Sequence, residues 1–171
     1  MTWTAPAVER APSPHLGTER ESLQGWLDFQ RQTLLWKCAG LTHEQLATRS
    51  VEPSTLSLLG LVRHMADVER WWFRINLRGE DVACFFDPDE TGADFDDLGS
   101  LPAEEVFAVF ERECVDADAA AYGLPLEQRF RTRRDNELDL RWVYLHMIEE
   151  YARHNGHADL LRERIDGQTG D

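Results

Sequence analysis

His146-Met147-Ile148-Glu149-Glu150-Tyr151-Ala152-Arg153-His154-Asn155-Gly156-His157 places His146, Glu150, His154 and His157 at spacings of four, four and three. Residues three or four apart share a helix face, and at about 100° per residue these four span a sector of roughly 80°. Val143, Met147, Leu161 and Ile165 lie on or beside the same sector. The stretch therefore reads as the centre of one long helix, from about Leu138 to Ile165, with Gly167 as its stop. Its imidazoles and its carboxylate point where its apolar residues point, toward a core. Burying such groups is costly unless they are paired, and a metal ion partners several at once.

Three more helices follow by working outward. Thr18-Glu19-Arg20-Glu21 is a capping box, Thr18 as N-cap and Glu21 at the third position. It opens a first helix that runs to about Gly40, with Leu23, Trp26, Leu27, Gln30, Leu34 and Cys38 as its inner stripe. Thr42-His43-Glu44-Gln45 is a second capping box, for a short turn through Leu46. A second long helix is expected from about Ser57 to Arg78, with Leu58, Leu61, His64, Met65, Val68, Trp71, Trp72 and Ile75 inside and Gly79 as its stop. Glu80 to Ser100 is acidic, carries Pro88, Gly92 and Gly99, and reads as a long loop. A third long helix starts near Pro102 and ends before Gly123 and Pro125. Glu127 to Glu137 reads as an extended basic connector. The expectation is an all-α four-helix bundle with a long acidic loop between helices two and three. Residues 1–17 are expected as a flexible arm, 18–167 as the bundle and 168–171 as a tail.

Composition narrows the function. The chain has 171 residues and a formal net charge of −14, which disfavours nucleic acid and anionic membranes as partners. No apolar run is long enough to span a bilayer. The three cysteines, Cys38, Cys84 and Cys114, are scattered and form no CxxC pair, so the plain reading is a reduced, cytoplasmic protein. Cys84 sits among acids, an unfavourable place for a nucleophilic thiolate. No P-loop, dinucleotide glycine pattern or Ser-His-Asp order is present.

His64 is the other long-helix histidine on an apolar face. Beside the fourth helix it completes a two-histidine, one-carboxylate set: His64, Glu150 and His154. Such donors suit zinc, nickel or iron(II) and leave positions open for water or substrate. Asp67, one turn later, is placed to orient the His64 ring. His146 reads as pocket wall or supporting group, and His157 as lining the pocket mouth. Trp71-Trp72-Phe73 reads as packing, with Trp71 a pocket-lining candidate. Arg141 and the run Arg129 to Arg134 are candidates for meeting an anionic substrate, or a solvated connector. The bland alternative is that the core histidines are satisfied by hydrogen bonds and hold no metal.

Leu61-Val62-Arg63-His64-Met65-Ala66-Asp67-Val68-Glu69 and Glu150-Tyr151-Ala152-Arg153-His154-Asn155-Gly156-His157 resemble the DinB-like superfamily, over about residues 18 to 167. That family includes metal-dependent thiol transferases and a mycothiol-dependent maleylpyruvate isomerase. Its usual three-histidine metal set maps by position onto His64, Glu150 and His154, with Glu150 where a histidine is commoner. The mycothiol-dependent isomerase shows a glutamate in that middle place. His157 stands where many relatives have glutamine. The resemblance implies a homodimer and a divalent metal, zinc foremost. It implies a thiol S-transferase or thiol-assisted isomerase acting on a low-molecular-weight thiol such as mycothiol and a small electrophile, with Glu150 catalytic. The alternative is a non-catalytic metal- or ligand-binding dimer of stress or regulatory role.

Overall fold

The computed structural model describes residues 2–85 and 101–170, and the chain is mostly helical. Both capping boxes form. Thr18 Oγ1 accepts from the Glu21 N–H while Glu21 Oε2 accepts from the Thr18 N–H at 2.8 Å, starting α1 (Glu19–Cys38). Thr42 and Gln45 make the same reciprocal pair at the start of α2 (His43–Ala47). Ser57 caps α3 (Leu58–Glu69), and Asp139 caps α5 (Leu140–Asp166), which ends on Gly167 in the left-handed conformation. The third long helix is α4 (Ala103–Ala121), whose first N–H, Ala103, donates to His43 Nδ1 at 3.1 Å. His43 thus helps to start a helix.

The long helices pack as α1 along α5 and α3 along α4, with α3 also meeting α5 and α1. Leu27, Leu34, Leu58, Leu61, Met65, Phe73, Phe110, Tyr144, Met147 and Tyr151 fill the space between them. Residues 86–100, most of the acidic loop and with it Phe86 and Phe95, lie outside the described residues.

Four expectations are corrected. The helix after Ser57 does not stay α-helical to Arg78: from Arg70 to Leu77 it widens into a π-helical segment. Arg78 N–H bonds to the carbonyl of Phe73, five residues back, and Asn76 Nδ2 takes the Trp71 carbonyl at 2.7 Å. The basic connector is instead an antiparallel hairpin, β1 (Arg129–Arg131) with β2 (Glu137–Asp139), pairing Phe130 with Leu138. Its turn uses Asp135 at φ 64°, a conformation Asp tolerates better than most residues. The strands use up Leu138 and Asp139, so α5 begins at Leu140. The N-terminal segment is tied to its own chain. Ala5 exchanges backbone hydrogen bonds with Leu41 and Gly40, Trp3 packs edge-on against Phe107, and Arg10 lies over the Trp36 ring. Finally, the α1 stripe keeps Leu27, Leu34 and Cys38 in the core as expected, but Trp26 is largely outside it, while Arg31 and Lys37 are buried.

Arg31 is buried because its partner is. Its guanidinium makes a two-pronged bond to Glu69, Nε to Oε1 and Nη2 to Oε2, both at 2.7 Å. Tyr151 Oη donates to Glu69 Oε1 at 2.7 Å, and Arg31 Nη1 reaches Asp118 at 2.8 Å. Glu69 is 0% and Arg31 5% exposed, so the pair is nearly out of water. Burial alone would lower the arginine, but Glu69 outweighs it and holds Arg31 charged. Burial pushes the Tyr151 phenol well above its ordinary range, and Glu69's charge pushes it further. α1, α3, α4 and α5 all contribute to this cluster.

Removing one partner strands the other charge. Glu69→Ala is expected to cost about 3–5 kcal/mol of folding stability in urea unfolding, and the paired Arg31→Met, Glu69→Leu variant much less. Equal losses in both would mean that packing volume, not charge, is what the cluster supplies.

Candidate metal centre

His64 projects from the middle of α3, and Glu150 and His154 from successive turns of α5. One donor atom of each lies within 4.8 Å of the others. The rings of His64 and His154 meet edge to face, 4.7 Å between centroids. Glu150 Oε2 lies 3.4 Å from His154 Nε2, and only 18% and 12% of these two side chains is exposed. The hydrogen bond from His154 holds the Glu150 carboxyl below its ordinary value despite partial burial. The three residues singled out in sequence are thus brought together, from helices that sequence alone does not show to be neighbours.

Tyr151 fixes the rotation that achieves this. Its hydroxyl is anchored on Glu69 of α3, while Glu150, the preceding residue, turns toward His64. Sequence reading missed Arg31, Glu69 and Tyr151. The signal available was Glu69 in an otherwise apolar face, five residues after His64.

The remaining candidates divide. His146 Nε2 is 3.8 Å from Glu150 Oε1, so the two oxygens of Glu150 face two different histidines. His146, Glu149 and Glu150 form a second group of converging donors. His157 Nδ1 lies 3.4 Å from His154 Nδ1, on the opposite edge of that ring from Glu150. That contact lets His157 steady the His154 ring from its Nδ1 edge while Nε2 faces Glu150. Asp67, expected to orient the His64 ring, accepts from the Phe85 N–H at 2.8 Å and so ties down the root of the acidic segment. Arg70 adds to that anchor, bonding Ala83 O at 2.9 Å with its guanidinium over the Phe85 ring. Burial, then the Asp67 charge, pushes the nearby Cys84 thiol up.

Two candidates are placed elsewhere. Trp71 packs under Arg134, 5.8 Å away, and it is Trp72 that meets His146, at 4.8 Å. The π-helical segment causes this exchange: bonds spanning five residues wind the chain by less than 100° per residue, which carries Trp72 toward the face of His64 and swings Trp71 off it. Arg141 is clamped between Glu19 at 2.6 Å and Glu127 at 2.5 Å, and these carboxylates push its guanidinium pKa up. It joins α5 to the start of α1. Within the Arg129 to Arg134 run, Arg129 pairs with Glu137, Arg131 with Asp135, and Arg133 bonds Glu80 O.

A family model described as mycothiol-S-transferase matches residues 22–167. The chain belongs to the mycothiol-S-transferase family, within the DinB-like superfamily that its motifs resemble. No curated protein matches the chain.

Burial, and secondarily the neighbouring His154, holds the His157 imidazole below its ordinary value of 6.5. A lowered folded-state value means that the unfolded chain takes up the proton first. The stability of the metal-free protein is therefore expected to be full above about pH 6.5 and to decline as pH falls through the folded value. Imidazole NMR titration with unfolding curves at each pH checks this, and His157→Gln should flatten the decline.

Proposed function

We propose that the chain is a metal-dependent thiol S-transferase that joins a low-molecular-weight thiol, mycothiol foremost, to a small electrophile. The scaffold in this reading is a four-helix bundle of DinB type made by α1, α3 with its π-helical continuation, α4 and α5. The observation that carries the reading is the convergence of His64, Glu150 and His154 in a chain of the mycothiol-S-transferase family.

The donor set fits a divalent ion. Two imidazoles and one carboxylate, partly shielded from water and with their donor atoms within 4.8 Å of one another, are the donors a divalent ion takes, and the set leaves coordination positions open. Zinc is the first choice, with nickel and iron as alternatives. When bound, the ion supplies a Lewis acid that lowers the pKa of a coordinated thiol. The residues do the rest. His157 steadies the His154 ring from its Nδ1 edge, so that Nε2 faces Glu150. Glu150 offers Oε2 toward His154, and its Oε1 faces His146 Nε2 across 3.8 Å. Because its pKa is held low, Glu150 is a better ligand than base. The thiol proton is carried by Oε1 to His146 Nε2; the sulfur forms its bond to the electrophile as the bond to the electrophile's leaving group breaks, and His146 returns the proton to that leaving group. Trp72 and Trp142 flank His146 and keep the relay partly dry. A thiol-assisted isomerisation uses the same residues when the adduct rearranges and the thiol leaves.

The reading includes a homodimer, for which the exposed Trp26, Leu145 and Leu160 supply apolar surface, and a reducing cytoplasmic setting, supported by three free cysteines. No helix among the described residues is long and apolar enough to cross a membrane.

Elemental analysis of untagged protein is expected to find about one zinc, nickel or iron per chain, lost in both His64→Ala and Glu150→Ala. Metal-loaded protein should conjugate mycothiol to members of an electrophile panel, and His64→Ala should lower that rate by more than about 100-fold. Full metal with no conjugation and no thiol binding by calorimetry would overturn the transferase reading.

A further inference from the structure

A groove of about 440 Å³ lies between the hairpin and the first turn of α5, lined by Arg129, Glu137, Leu138, Asp139 and Trp142. It is outside the set His64, Glu150 and His154. Trp142 is the wall it shares with the metal centre. The Trp142 ring stacks nearly flat on His146, at 4.7 Å and 15°, and is steadied by Trp72 at 5.0 Å. His146 sits one turn further along α5, while the other groove residues sit before Trp142 in the chain. One face of the indole is spent on His146, and Trp142 also lines the groove. Trp142 remains 38% exposed although two aromatic rings, His146 and Trp72, which also touch each other, pack against it.

We infer that this groove binds the polyol end of the thiol substrate, stacking a sugar or cyclitol ring on Trp142 while Asp139, Glu137 and Arg129 take its hydroxyls. The inference rests on the thiol-transferase reading and extends it to the non-reacting part of the substrate. The chemistry of the lining selects the ligand. A flat indole face with carboxylates and a guanidinium at its rim pairs the C–H face of a polyol with apolar surface, and its hydroxyls with donors and acceptors. Two carboxylates against one guanidinium leave the rim net negative, which disfavours a phosphate or carboxylate ligand. Asp139 Oδ1 already accepts the Trp142 N–H at 2.8 Å, so this carboxylate is held in place and keeps lone pairs to offer. Arg129 and Glu137 pair at 3.2 Å across the two strands while largely exposed, an arrangement that gives way to a ligand at little cost.

The spacing matches. Trp142 and Glu150 are eight residues apart on one helix, on the order of 12 Å at 1.5 Å per residue. Mycothiol carries its cysteine on a glucosamine joined to inositol, so thiol and cyclitol are opposite ends of one molecule. About eight bonds separate the sulfur from the inositol ring, roughly 10 Å of extended chain, and the ring itself covers the rest. A molecule with its cyclitol on Trp142 is long enough for its sulfur to span the helix rise to Glu150. Binding energy from the remote polyol then orients the reacting sulfur.

The test uses S-methyl mycothiol, which keeps the polyol but has no thiol to ionise, and S-methyl-N-acetylcysteine, which lacks the polyol. Calorimetry is run on the full metal-loaded chain and repeated on the metal-free chain. S-methyl mycothiol is expected to bind at least 10-fold more tightly than the truncated ligand. That preference should fall to near unity in Trp142→Ala, return in large part in Trp142→Phe, and drop several-fold in the surface variant Arg129→Ala with Glu137→Ala. The double variant leaves the Trp142–His146 stack intact, so it separates loss of the groove from collapse of the centre. Equal affinity of the two ligands for the wild-type chain, or an unchanged preference in both Trp142→Ala and the double variant, overturns the inference. The two readings fail separately. Polyol-dependent binding without conjugation rejects the transferase reading and keeps the groove. Conjugation that is indifferent to the polyol does the reverse.

Discussion

A two-pronged ion pair, Arg31 with Glu69, sits where α1, α3, α4 and α5 meet, nearly out of water. Charges this deep are tolerated only when each hydrogen-bonding site is answered. Glu69 receives Arg31 twice and Tyr151 once, and Arg31 also reaches Asp118 and Asp28. Those bonds are directional, unlike apolar contact. They set the rotation of α5 against α3, and that rotation decides which α5 residues look at His64. A purely hydrophobic core of the same volume would hold the helices together without choosing among nearby rotations so sharply.

The proposed centre is built outward from this cluster. Tyr151 is held on Glu69, so Glu150 is held next to it, and His154 follows one turn on. The π-helical segment starts at Arg70, immediately after Glu69, and its looser winding brings Trp72 rather than Trp71 to His146. Around the same junction Arg70 and Arg74 share the buried carboxylate of Glu113, and Arg74 also takes Glu80. Structural charge pairs and reactive groups thus alternate along one helix. Cys114 shows the division of labour: it lies against Glu69, and burial and that charge push its thiol well above the ordinary range. A thiol so placed stays protonated, and the reactive sulfur in the proposed chemistry comes from the substrate.

Spacing rules made much of the chain legible. Thr18–Glu21 and Thr42–Gln45 are local reciprocal bonds between residues three apart, so their pattern survives any tertiary context. Gly167 ends α5 in the left-handed conformation for the same local reason. The heptad-like run of His146, Glu150, His154 and His157 and the apolar surroundings of His64 were enough to nominate the ligand set. The connector from Glu127 to Glu137 was misread because a three-residue ladder carries too little period-two signal to separate it from a polar loop. The N-terminal segment was misread because its attachment is mainly backbone hydrogen bonding by Ala5 and ring contact by Trp3, neither of which leaves a periodic trace.

By itself the sequence determined which segments become helices, where most of them start and stop, and which side chains share a face, because those depend on residues within one turn of each other. Only the tertiary structure decided that Arg31 and Lys37 lie inside while Trp26 lies outside, that Arg141 is a strut between Glu19 and Glu127, and that Trp72 and Trp142 rather than Trp71 enclose His146. These outcomes depend on the angle at which one helix meets another. That angle is set by pairs such as Arg31 with Glu69, 38 positions apart in the chain, whose match is invisible until the fold brings them to hydrogen-bonding distance.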